Sequence, residues 1–255
     1  MRIVVKVGTS TLTHATGRSN IRLIEELCKV VSDIKNAGNE IILVSSGAIG
    51  MGVGKMNLTK RPDDMPTKQA MAAIGQCELM YVYDRLFSEY NHTVAQILLT
   101  GEDLHDEVRH RNFINTIRRL LELGVLPVIN ENDTVATEEV AVGDNDTLAA
   151  LVTESIEAQL LIILSDIDGL YTANPREDPT ATLIPRVEEL TGEIMSSAGG
   201  SGSGLGTGGM ATKLHAAEIC MNAGAEMAIV NGARPAILYD VMEGAPVGTR
   251  FTGRK

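Results

Sequence analysis

Residues 160–164 read Leu-Leu-Ile-Ile-Leu, the most apolar of several short runs that recur between longer, helically spaced segments. No feature constrains the fold more. A strand without polar alternation must be covered on both faces, and strands separated by helices are joined by crossovers, which points to a parallel sheet with helices above and below. Strands are predicted at residues 3–7, 40–44, 93–99, 125–129, 160–164 and 227–230. Helices are predicted at 21–35, 67–90, 107–123, 146–156 and 210–222, with a short last one at 235–242. Ser19 or Asn20 would cap the first helix, and Gly38 and Gly124 would end the first and third. Nothing resembling a linker separates two cores, and no repeat of fixed period occurs. The expectation is a three-layer αβα sandwich with a mainly parallel central sheet, a single domain over residues 1–255 whose ligands sit beyond the C-terminal strand ends.

Charge narrows the partners. The 255 residues carry 22 Lys+Arg against 33 Asp+Glu, a net charge of −11, with three Phe, five Tyr and no Trp. An acidic chain lacks the basic face that a phosphate backbone requires, and few aromatic side chains remain to stack on bases, so nucleic acid is not expected as a partner. Arg109, Arg111, Arg118 and Arg119 are the one concentrated basic group, expected as a solvated helix face or a subunit contact. No apolar run is long enough to span a bilayer, and residues 1–17 lack the apolar core of a signal peptide, so the expectation is a cytoplasmic protein without a membrane partner. Cys28, Cys77 and Cys220 are odd in number and form no CxxC, which suits buried small hydrophobes in a reducing compartment. Met51 and Met56 are expected in a loop.

The acids are unevenly spread. Windows 1–24, 41–62 and 194–217 contain none, although each holds a glycine-rich turn and at least one Lys. That distribution suits local anion binding. Familiar phosphate templates fail, however: no GxxxxGK[ST] occurs, and the GxGxxG match at 204–209 follows no predicted strand. No HExxH, EF-hand or GxSxG is present. What remains is a constellation. Lys6 lies inside the first strand, where a buried ammonium needs a partner or an anion. The second strand runs into Ser45-Ser46-Gly47-Ala48-Ile49-Gly50, whose glycines let backbone N–H groups approach a ligand. Lys213 follows the glycine tract one turn into a helix, a favourable place for an anion. Two lysines arriving from different loops suit phosphoryl transfer, which rests on positioning and charge neutralisation. Asp146 could orient both lysines, and Asp133 and Asn145 could hold an amino acid's ammonium and carboxylate. Asp144 reads as a helix cap or a site residue, and Asp166, after Ser165, as a turn residue or a nucleotide contact.

Taken in order, residues 6–10 (KVGTS), 45–49 (SSGAI), 130–133 (NEND), 143–146 (GDND), 168–171 (DGLY) and 206–213 (GTGGMATK) resemble the amino acid kinase superfamily. Within it they are most similar to the branch that phosphorylates the γ-carboxylate of free glutamate, the first step of proline synthesis. The resemblance implies ATP with Mg²⁺, a homo-oligomer (dimer or tetramer) and feedback inhibition by proline. It implies phosphate-binding, catalytic roles for Lys6 and Lys213, with Asp146 organising them. Ser46, Asp133 and Asn145, with Gly47 and Ala48 beside them, would hold glutamate. Lys6, Gly8, Ser165, Asp166, Thr207, Gly208, Gly209, Met210, Ala211, Thr212 and Lys213 would hold ATP. No protein ligand of the metal is assigned. Asn174 departs from the family's usual Asp, and many members carry a C-terminal PUA domain that a chain ending at Lys255 is expected to lack. Kinases of N-acetylglutamate, carbamate, uridylate or aspartate, and a non-catalytic ligand sensor on the same fold, remain the alternatives.

Overall fold

The computed structural model describes residues 1–14, 16, 18–136, 142–175, 177–197 and 209–253. Its centre is one eight-stranded sheet. In chain order the elements are β1 (Arg2–Val7), α1 (Thr9–Leu12), α2 (Ile21–Asn36), β2 (Glu40–Ser45), α3 (Ala48–Lys55), α4 (Met65–Ser88), β3 (Val94–Leu99), α5 (Gly101–His105) and α6 (Glu107–Glu122). There follow β4 (Leu126–Glu131), α7 (Asn145–Ser155), β5 (Leu160–Ser165), β6 (Arg186–Val187), α8 (Gly192–Ser197), α9 (Met210–Asn222), β7 (Glu226–Asn231), α10 (Ile237–Met242) and β8 (Thr249–Phe251). Strand order across the sheet is β3-β4-β2-β1-β5-β7-β8-β6, parallel throughout except between β7 and β8.

Side-chain alternation divides the core in two. Ile3, Val5 and Val7 of β1 pack with Ile24 and Leu27 of α2, Leu79 and Tyr83 of α4, and Leu238 of α10. Val4 faces the other way, towards Ile117 of α6, Leu148 of α7 and Leu214 of α9. Helices therefore cover both faces, and the αβα sandwich stands as expected. Because Lys6 shares the parity of Val4, the period-2 pleat sends it to the α7 and α9 side.

The predicted helix starts hold within a residue or two. Asn20 caps α2 by accepting from Leu23 N, and Asp64 caps α4 by accepting from Thr67 N. Two expectations are corrected. Met51, expected in a loop, is buried within α3, and residues 48–55 are helical despite their glycines. Intrinsic propensity disfavours glycine in a helix by about 1 kcal/mol per residue, yet tertiary packing overrides it. A Cβ on Gly52 would lie 2.0 Å from Met71 O, and one on Gly75 would lie 1.7 Å from Ala48 O, so the backbones of α3 and α4 touch where side chains would hold them apart. Cys77 is exposed, unlike buried Cys28 and Cys220, because it lies on the outer side of α4. Of the basic group on α6, Arg109, Arg118 and Arg119 make exposed ion pairs, with Asp103, Glu157 and Glu122 respectively.

β6 and β8 escaped the sequence reading because each is two or three residues long. One buried hydroxyl ties this edge to the rest. Thr249 Oγ1 accepts from Leu170 N at 2.8 Å and donates to Ile184 O at 2.7 Å. Thr249→Val keeps the shape and strands both partners, so it is expected to lower stability by about 1–3 kcal/mol in urea unfolding. No helix among the described residues is long and apolar enough to cross a membrane.

Candidate active site

The parallel register brings three chain segments to one end of the sheet. Val7 of β1 lies beside Ser45 of β2, and Val44 lies beside Ile129 of β4. Lys6, Ser46 and Asn130 therefore arrive together at the C-terminal strand ends, where open α/β sheets place their ligands. The first turns of α7 and α9 close the same end.

At the centre are two lysines sharing one carboxylate. Lys6 Nζ lies 2.7 Å from Asp146 Oδ1, and Lys213 Nζ lies 3.0 Å from Asp146 Oδ2. All three are buried, Asp146 to 1% exposure. Burial alone would raise the Asp146 pKa, but the two ammonium groups outweigh it and hold the carboxyl below its usual range. Thr212 Oγ1 lies 3.0 Å from the same Oδ2 and 2.9 Å from Gly209 O, with its single hydrogen shared between these two acceptors, which ties the carboxylate to the start of α9. One acid cannot neutralise two cations, and the surplus positive charge, held away from water, calls for an anion. Asp144 is the N-cap of α7: its Oδ1 accepts from Asp146 N and Thr147 N, both at 2.9 Å. The cap explains how Asp146 is aimed.

Beside the lysine pair opens a cavity of about 520 Å³, within the range of small-molecule sites. Ser46, Gly47, Ala48, Asp133 and Asn145 all line it, so the five residues assigned from sequence to the amino acid meet in one place. Gly47 has φ +100°, a left-handed conformation that other residues rarely adopt, and it caps α3 without a side chain. The first intrahelical bond runs from Met51 N to Gly47 O at 2.9 Å. The N–H groups of Ala48, Ile49 and Gly50 thus have no partner within the helix, and these residues line the cavity. Glu131, Asp133 and Asp144 also line the cavity, together with Lys60 and Arg61. Glu131 accepts from Val142 N, and burial raises its pKa. Burial also raises the Asp133 pKa, with Arg61 opposing. The cavity thus offers backbone donors at the start of α3 as well as carboxylates.

The remaining assignments fall around the lysine pair. A Cβ on Gly8 would lie 3.8 Å from Lys6 Nζ, which places that backbone against the ammonium. Gly209 caps α9 without a side-chain bond, and Met210, Ala211 and Thr212 form its first turn. Ser165 ends β5 with Oγ donating to Asp166 Oδ1 at 3.3 Å, and Asp166 is exposed. The structure shows no bond from either to the lysines. Thr207 and Gly208 lie outside the described residues. Gln76 escaped the sequence reading: it sits in a helix whose apolar spacing announces only core, yet it is buried and bonded to Asn130.

Residues 1–231 match the amino acid kinase family. A glutamate 5-kinase of Caldanaerobacter subterraneus subsp. tengcongensis is 52% identical over 255 residues, covering all of this chain and 68% of its own length. A glutamate 5-kinase of Clostridium tetani is 53% identical over 99% of this chain and 95% of its own length. Among solved structures, carbamate kinase from Giardia lamblia bound to AMP-PNP superposes with a TM-score of 0.71 over 99% of this chain and 98% of its own, at 16% identity. At that identity the likeness speaks for the fold alone.

Proposed function

Because the chain belongs to the amino acid kinase family, we propose that it phosphorylates the γ-carboxylate of L-glutamate with ATP, giving L-glutamyl 5-phosphate and ADP as the first step of proline biosynthesis. Identity of about half to glutamate 5-kinases along the whole chain carries this reading. The site's chemistry supports it. A γ-carboxylate is already ionised at neutral pH, so the reaction needs no general base. The obstacle is bringing two anions together. Ser46 and the free N–H groups at the start of α3 hold the acceptor carboxylate, and Asp133 pairs with the ammonium. Lys6 and Lys213, spaced by Asp146, neutralise the transferring phosphoryl group as charge develops. A carboxylate oxygen forms the new P–O bond while the bond to the bridging oxygen breaks, and ADP leaves with that electron pair. Gly8, Ser165, Asp166 and residues 207–213 bind the nucleotide.

The described residues contain no cluster of carboxylates, imidazoles or thiols suited to a metal, and Asp146 is occupied by two ammonium groups. Mg²⁺ would then be held by the nucleotide's own oxygens. Incubation with ATP, Mg²⁺, glutamate and hydroxylamine tests the reading. Glutamyl hydroxamate is expected, with free glutamate preferred over N-acetylglutamate, carbamate, aspartate and UMP. Absence of hydroxamate from glutamate would overturn this reading: turnover of another substrate of the panel would assign a different kinase of the family, and nucleotide binding with no substrate turned over would leave the ligand sensor.

pH offers a second check. The Asp133 pKa is raised, and only its ionised form pairs with an ammonium, so KM for glutamate is expected to rise as pH falls through a value above the ordinary carboxylate range. The rise approaches about tenfold per pH unit below that point, and Asp133→Asn should raise KM and flatten the profile. The proposal extends to a single folded unit, a homo-oligomer in the cytoplasm, and inhibition by proline. Light scattering and proline titration of the same assay address the last points.

A further inference from the structure

A run of side-chain amides crosses the protein from the edge strand β3 to the cavity. Gln76 Nε2 donates to Gln96 Oε1 at 3.1 Å, Asn130 Nδ2 donates to Gln76 Oε1 at 3.0 Å, and Asn145 Nδ2 donates to Asn130 Oδ1 at 2.9 Å. Asn145 Nδ2 donates its other hydrogen to Ser46 Oγ at 2.8 Å. Gln76 and Asn130 are buried, at 8% and 3% exposure, and sit on α4 and β4. The run has a direction. Each amide accepts from the next, so turning one of them would set two donors or two acceptors face to face in a buried place.

We propose that Gln76 is a positioning residue, one that fixes the amide orientation of Asn130 and, through it, of Asn145. The consequence lies at the cavity. With both Asn145 hydrogens spent inside the protein, its Oδ1 is the atom left for a ligand, and it can only accept. Ser46 Oγ accepts from Asn145, so its own hydrogen is available to donate. The pair presents one acceptor and one donor, a pattern that suits a ligand carrying both a protonated amine and a carboxylate. An acylated amine offers one hydrogen where an ammonium offers three, so the same orientation favours a free amino acid. A site built to accept from an N–H rejects analogues that lack it more strongly than apolar contact can.

This inference rests on the proposed reaction, and the two fail separately. If the wild-type protein does not turn over glutamate, the reaction is wrong. Given turnover, Gln76→Met, which keeps length and helix propensity, removes the acceptor that orients Asn130. It is expected to raise glutamate KM about tenfold with kcat within about threefold and ATP KM unchanged, and to narrow the preference for glutamate over glutarate. Gln76→Glu, protonated in its buried setting, repeats the pattern of one donor and one acceptor and is expected to restore KM to within about threefold of wild type. A merely structural role predicts the reverse order, since a buried position tolerates methionine better than glutamate. An unchanged glutamate KM in Gln76→Met, or a higher KM in Gln76→Glu than in Gln76→Met, overturns the proposal.

Discussion

Asp146→Asn is expected to abolish turnover, by about 10³-fold or more in kcat, and to lower stability by roughly 3–5 kcal/mol. Lys213→Met is expected to lose turnover as severely while leaving stability unchanged or raised. The difference follows from counting buried charge. Asp146 is the shared partner of Lys6 and Lys213 at 2.7 and 3.0 Å, so removing it strands two ammonium groups away from water. Removing Lys213 instead leaves Lys6 and Asp146 as a matched pair, with one fewer ion to desolvate. Steady-state kinetics and urea unfolding of both variants give the check. Equal destabilisation would show that the surplus charge is not held as the geometry indicates.

The pH dependence has a definite sign. In the wild type the Asp146 carboxyl is held below its unfolded value, so its contribution to stability is fully present above the ordinary carboxylate range. That contribution is lost as pH falls through the depressed pKa.

Gly75→Ala is expected to lower stability by about 3 kcal/mol, at the upper end for overpacking, and to raise glutamate KM. The added methyl would sit 1.7 Å from Ala48 O and 2.5 Å from Gly52 N, both backbone atoms that cannot turn aside. α3 must therefore move away from α4. Its first turn carries Ala48 and follows Ser46 and Gly47, so the cavity wall moves with it. Gly52→Ala should behave alike, because its methyl would meet Met71 O at 2.0 Å. Gly192→Ala, where no atom lies within 4 Å, serves as the control and should change neither stability nor kinetics appreciably. Thermal melts with glutamate titrations separate the three, and a wild-type melt for Gly75→Ala would overturn the account of α3.

Lys6 stood out because an ammonium inside an apolar strand demands an explanation, and Asp144 because an acid before a helical run is a cap whatever else it does. Both inferences draw on local rules, and both hold in the structure. Met51 misled for the same reason. Local rules assign three glycines in eight residues to a loop, while the contact that makes them a helix comes from Met71 and Gly75 on another element. Gln76 gave no sign at all, since its partner Asn130 is 54 residues away and a buried amide in an apolar helix is indistinguishable in sequence from an exposed one.

The layered architecture and the sheet's mainly parallel sense are legible along the chain, because hydrophobic periodicity acts over a few residues. Alternation also determined which face of β1 carries Lys6. That Lys6 and Lys213 share Asp146, that α3 lies backbone to backbone on α4, and that Asn145 presents an acceptor emerges from the folded chain alone. Each of these depends on atoms brought within about 3 Å by the folded sheet, and hydrogen-bond direction and steric contact are set at that range.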